Sequence, residues 1–139
     1  PKVDQKSGEM MTFGYAFQPP YVSYSVISAA GELIHSTPIT IEKPVFMHDF
    51  AVTEKYSLFL DFPITLDVER AMAGGPALGF EPEHGSRIGV VPRFGTDSDV
   101  RWFEVETGSV VHTANAWEEG DEVVLQASRS KTSDIASAG

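Results

Sequence analysis

Apolar and polar positions alternate with period two along most of the chain, the signature of half-buried β-strands. Residues 21–28, YVSYSVIS, set Tyr21, Ser23 and Ser25 on one side and Val22, Tyr24 and Val26 on the other. Before them, residues 12–17 form an aromatic-rich strand that closes at Pro19-Pro20. After them, Ala29-Ala30-Gly31 turns the chain into an extended segment over 32–41, broken at Pro38. The pattern predicts strands over 47–53 and 56–64 around a tight Glu54-Lys55 hairpin, and a short strand over 87–93. Strands over 100–106 and 110–116 flank Thr107-Gly108, and a Glu118-Glu119-Gly120 turn leads into 121–127. Eight or nine short strands, with turn signals about every 8–12 residues, predict an all-β sandwich, barrel or propeller. Residues 65–80, TLDVERAMAGGPALGF, depart from this pattern, because Leu66, Val68, Met72 and Leu78 do not alternate. Asp67 and Glu69 suit the first turn of a short helix and Gly74-Gly75-Pro76 would stop it, so this stretch is expected to be a short helical insertion.

Composition narrows the class. At 139 residues a single domain with a real core is expected. A hydrophobic content of 42% is too high for a disordered chain. The absence of cysteine excludes disulfides and thiolate metal sites. A net charge of -10 argues against duplex binding, which needs a cationic surface, so no nucleic-acid partner is expected. No run of 18 apolar residues is present. The chain begins at Pro1 with no signal or transit pattern, and 128–139 is a small polar tail. The expectation is therefore either a processed domain or a piece of a longer chain.

Without cysteine, metal chemistry falls to His, Asp and Glu. His84 stands in the polar loop EPEHGS and is expected to be solvated; His35, beside a proline in an extended segment, is expected to be structural. His48, in VFMHDFAVT, and His112, in SVVHTANAWEE, are crowded by apolar neighbours near the starts of strands. A buried neutral imidazole needs a hydrogen-bond partner or a metal, and on local context either explanation stands. The two lie 64 residues apart, so only the global fold could join them. A propeller does so, since each blade of roughly 40–50 residues aims its innermost strand at the axis. Imidazole suits Zn, Cu, Fe and Ni, but two ligands are too few for a catalytic metal, so more would come from outside the chain. Other constellations are weaker. There is no GxSxG elbow near Ser109. Asp61, Asp67 and Glu69 are expected to be solvated turn charges, and Gly74-Gly75-Pro76 lacks the lysine of a phosphate loop.

Longer motifs carry a resemblance. The segments PKVDQKSGEMMTFGY (1–15), PPYVSYSVISAAGELIH (19–35), MHDFAVTEKYSLFLDFPI (47–64), RIGVVPRFG (87–95) and RWFEVETGSVVHTANAWEEGDEVVL (101–125) resemble the carotenoid cleavage oxygenase family, with wording like its plant-type dioxygenases. The resemblance implies part of a seven-bladed β-propeller, about two blades with the helical insertion, so that 1–139 is an internal fragment of one propeller domain. It implies an iron-dependent enzyme of the carotenoid cleavage dioxygenase type. Fe(2+) is held by four histidines, of which His48 and His112 match two. The remaining two, and the outer-shell glutamates, are expected outside this chain. The implied reaction is oxidative cleavage of a conjugated double bond of a carotenoid or apocarotenoid, with O2, to two carbonyl products. Phe46 and Val111 are the candidate substrate-lining residues, against ordinary packing; no catalytic residue beyond the metal ligands is expected. Phe50 is expected in the core, Trp117 between strands, Glu118 tying down a turn, and Asp49 orienting a neighbouring backbone group. The resemblance also implies peripheral membrane contact, for which Leu66, Met72, Ala73, Leu78 and Phe80 are candidates; the compartment is left open between cytoplasm and plastid, with secretion not expected. The competing reading is a non-catalytic all-β binding module with His48 and His112 as core residues.

Overall fold

The structure, a computed structural model, describes residues 1–133; the end of the polar tail, 134–139, lies outside the described residues. The first four strands are β1 (Lys2–Val3), β2 (Met10–Tyr15), β3 (Tyr21–Ile27) and β4 (Leu33–Thr40), an antiparallel sheet ordered as they occur in the chain. The chain then enters β5 (Ala51–Val52) and β6 (Tyr56–Asp61). An insertion follows, made of β7 (Ile64–Leu66), helix α1 (Val68–Met72) and β8 (Leu78–Phe80). The strands β9 (Ser86–Pro92) and β10 (Arg101–Val105) complete the second sheet, ordered β10-β9-β6-β5 and also antiparallel. A hairpin of β11 (Thr113–Glu119) and β12 (Glu122–Ala127) closes the described chain. Two four-stranded meanders and the first half of a third are two propeller blades and the start of another.

Local sequence explains the strands and their departures from expectation. In β3, Val22, Tyr24 and Val26 are buried while Ser23 faces solvent, as alternation requires. The expected break at Pro38 does not occur, because β4 is an edge strand with no second neighbour for a missing N–H to disappoint. Only Ala51 and Val52 of the strand expected over 47–53 join a ladder. Residues 46–50 join no ladder: Phe46 N donates to Ile64 O of the insertion, Met47 N turns back to Val45 O, and Asp49 meets the next blade through its side chain. The insertion is helical where expected: Asp67 caps α1 by accepting from Arg70 N at 2.8 Å, and Gly74 turns the chain out at φ 86°. Leu66 and Leu78, which shared no period, pair across the insertion as partners in β7 and β8.

The core lies between the two sheets. Met11, Val22, Tyr24, Val26 and Ile39 of the first meet Phe59 and Val91 of the second, with Met47 and Phe50 of the connecting segment between them. Their rings pack edge-on and offset: Phe13–Phe50 at 5.1 Å, Tyr24–Phe59 at 5.5 Å and Phe50–Phe59 at 5.9 Å between centroids. Ser57 donates to the buried Tyr24 hydroxyl at 2.9 Å, so the phenol is satisfied inside the core.

Candidate metal centre

His48 lies in the extended segment before β5, and His112 is the residue before β11. Val45 and Met47 point into the core, so Phe46 and His48 point the other way. Both histidines are exposed, which corrects the expectation that apolar neighbours bury them: those neighbours occupy the opposite face of the same extended chain. The two rings face each other edge-on, with centroids 4.9 Å apart and planes at 85°. Phe46 lies against His48, its ring nearly parallel at 5.5 Å. Val111, half-buried, precedes His112. The fold thus joins two residues 64 positions apart and sets the candidate lining residue Phe46 beside one of them.

Polar side chains next to these histidines hold the arrangement. Asp49 Oδ2 accepts from Thr113 N at 2.9 Å and from Thr113 Oγ1 at 2.7 Å, while Asp49 Oδ1 meets Lys2 Nζ at 2.8 Å. Burial pushes the Asp49 carboxyl up, but the Lys2 ammonium and the Thr113 and Phe50 donors outweigh it and hold it at about 2. It is therefore ionised at neutral pH. The expectation that Asp49 orients a neighbouring backbone group is met at Thr113 N. Five residues further on, Glu118 Oε1 accepts from Thr53 Oγ1 at 2.7 Å and Lys55 N at 2.8 Å, and Oε2 meets Lys55 Nζ at 3.1 Å. Glu118 does tie down a turn, and that turn belongs to the neighbouring sheet.

The other histidines are committed elsewhere. His35 Nε2 bonds Gly95 O at 2.8 Å, a structural role as expected. His84 is not the solvated loop residue expected: its side chain is buried and Nε2 lies 2.8 Å from Asp61 Oδ1. Nor is Asp61 a solvated charge. It is 0% exposed, and its second oxygen accepts from Arg87 Nε at 2.8 Å. Proximity in the fold made this cluster; nothing in EPEHGS marks it. Trp117 is exposed instead of packed between strands, because β11 turns that face outward. Sequence reasoning also missed Lys2 and Thr113. The only available signal was that Asp49 and Thr113 each follow a candidate ligand.

The chemistry of the pair fits a metal. Two imidazoles that bind one first-row metal at about 2.1 Å stand with ring centres roughly 5 Å apart. Among the described residues neither ring makes a hydrogen bond within the protein, unlike those of His35 and His84. No group of three or more His, Cys, Asp or Glu able to hold a metal occurs among the described residues. Among the described residues the pair could offer a metal two ligands, and others would have to complete its shell.

Comparison with known proteins adds to this geometry. The family model described as retinal pigment epithelial membrane protein matches residues 1–138. The carotenoid 9,10(9',10')-cleavage dioxygenase of Crocus sativus is 47% identical over 137 residues, covering 97% of this chain and 25% of that protein. A carotenoid 9,10(9',10')-cleavage dioxygenase of Arabidopsis thaliana is 44% identical over the same length, covering 97% of this chain and 26% of the relative. The crystal structure of the Pseudomonas brassicacearum lignostilbene dioxygenase superposes with a TM-score of 0.82 at 36% identity, covering 90% of this chain and 27% of that one. The chain spans about a quarter of the length of the curated relatives it matches.

Proposed function

The chain belongs to the family described as retinal pigment epithelial membrane protein, and from that premise we propose that it is an internal part of a single propeller domain of a non-haem Fe(II) dioxygenase. The intact enzyme would cleave a conjugated double bond of a carotenoid or apocarotenoid, each alkene carbon leaving as a carbonyl with one oxygen from O2. The observation that carries this reading is the pair of exposed imidazoles of His48 and His112, 4.9 Å apart and free of hydrogen bonds among the described residues. Ferrous iron, held in part by these two rings, would supply the site at which dioxygen is activated.

This chain's own residues do the positioning. Neutral imidazoles leave the cation's charge intact, and the Asp49 carboxylate beside them spends its charge on Lys2 and Thr113 rather than on the metal. Phe46, stacked on His48, offers apolar surface next to a ligand, as an apolar polyene requires, and Val111 adjoins His112 in the chain. A non-catalytic binding module gives no reason for two facing imidazoles with no hydrogen-bond partner among the described residues. In the intact protein, replacing His48 and His112 together by alanine is expected to abolish iron loading and polyene cleavage; retention of either refutes the ligand assignment.

Peripheral membrane contact is assigned to the insertion. Met72 is 85% exposed and Ala73 is open to solvent, while Leu66, Leu78 and Phe80 are half-buried in the β7–β8 hairpin, so the proposal rests chiefly on Met72 and Ala73. Liposome flotation of the intact protein should weaken with Met72→Asp, and undiminished flotation would remove the insertion from the contact.

A further inference from the structure

The Asp49 carboxylate joins the first strands of three successive blades. It takes Lys2 Nζ of β1 on one oxygen at 2.8 Å and Thr113 N and Oγ1, at the start of β11, on the other at 2.9 and 2.7 Å, while itself preceding β5. Thr113 Oγ1 also lies 3.3 Å from Phe50 O. Asp49 and Thr113 are the residues immediately after His48 and His112, so the bonded pair repeats the 64-residue offset of the imidazole pair. The two histidine-bearing segments share no ladder bonds here, since β5 pairs with β6 and β11 with β12. Register between them must come from side chains. The Glu118 contacts to Thr53 and Lys55 supply it at the far end of β11, and Asp49 supplies it one residue from the rings.

Resting on the metal-site reading above, we infer that Asp49 is the positioning residue of that site. Through Thr113 and Lys2 it fixes the separation of His48 and His112, so the pair is set for a metal before one arrives. The Asp49 oxygens are occupied by these donors and make no bond to either imidazole. Its influence therefore passes through the backbone, unlike a carboxylate that orients a ligand by bonding the ring itself.

The test uses the intact protein, with Co(II) as a spectroscopic probe and Fe(II) as the metal titrated. Asp49→Asn and Thr113→Val are compared with Glu118→Gln, a contact between the same blades remote from the rings, and Thr113→Ser serves as conservative rescue. The expected result is a loss of metal affinity of about tenfold or more in Asp49→Asn and Thr113→Val. The Co(II) absorption spectrum should change with it, while Thr113→Ser stays near wild type. Glu118→Gln should lower the thermal midpoint of the metal-free protein and leave affinity within about twofold. Wild-type affinity and spectrum in both clamp variants overturn the inference, as does an equal loss of affinity in Glu118→Gln, which would make Asp49 one general blade contact among others. If Asp49→Asn fails to fold, Thr113→Val decides alone. Unchanged affinity in His48→Ala and His112→Ala, by contrast, would refute the metal site itself.

Discussion

The junction between the first and second sheets and the junction between the second sheet and the β11–β12 hairpin join neighbouring blades by different means. At the first, buried apolar side chains interdigitate, with Met11, Tyr24, Phe50 and Phe59 in one cluster, and polar contacts of Arg93 with Asp4 and Glu9, His35 with Gly95 O and Thr40 with Asp97 lie around it. At the second, a groove of about 600 Å3 opens between Leu58, Val90 and Phe103 on one side and Val123 and Leu125 on the other. There the blades are tied by carboxylates at the strand ends, Asp49 to Thr113 and Glu118 to Thr53 and Lys55. Apolar packing gives cohesion but tolerates small slips, whereas a hydrogen bond is lost within a fraction of an ångström. The polar junction is the one that carries both histidines. Directional bonds occur at both junctions, but among the described residues only the first has a buried apolar cluster beneath them, so register at the second rests on its carboxylates.

This contrast can be broken experimentally. The largest expected effect is at the apolar junction: Phe59→Ala removes a ring that is 0% exposed and should cost about 3–5 kcal/mol in denaturant unfolding of the intact protein. A loss below about 1 kcal/mol would show that the first junction does not rest on its core. Weakened metal affinity in the protein that remains folded would show that the junctions are not independent. The smaller effect is at the polar junction. Glu118→Gln keeps shape but removes the charge from three contacts, one of them to an exposed lysine, and should cost about 1 kcal/mol. A cost equal to that of Phe59→Ala would erase the distinction between cohesion and register. The metal titrations of the Asp49 and Thr113 variants sharpen the comparison further, since they separate register at the rings from register at the distal turn.

Much of the fold was legible because strands announce themselves locally. YVSYSVIS buries one face of β3 in the packing its alternation predicts, and Asp67 with Gly74-Gly75-Pro76 delimits α1. Other elements were misjudged where position in the sheet outweighs composition. Pro38 looks like a break until β4 is known to be an edge. The 47–53 stretch looks like a full strand, yet its first half has no ladder partner. The site was half legible: His48 and His112 stood out by context and spacing, but their exposure did not, because a run such as VFMHDF does not say which face meets the core. His84 went the other way. It reads as a loop histidine and is buried only because Asp61, 23 residues earlier, ends β6 beneath it.

The sequence by itself determined the all-β class, most of the turns, the capped insertion, the absence of thiol chemistry and the two histidines on which a metal reading depends. These follow from period, turn residues and side-chain inventory, which act over a few neighbouring positions. The first strand of the last hairpin lies three residues later than its pattern suggests, with β11 running through Glu119. Only the tertiary structure decided that the two imidazoles stand 4.9 Å apart, that Asp49 ties Lys2 to Thr113, and that Glu118 holds a turn of another blade. Such contacts join residues tens of positions apart, and their geometry is set by how blades pack, a property of the whole chain that no local window contains.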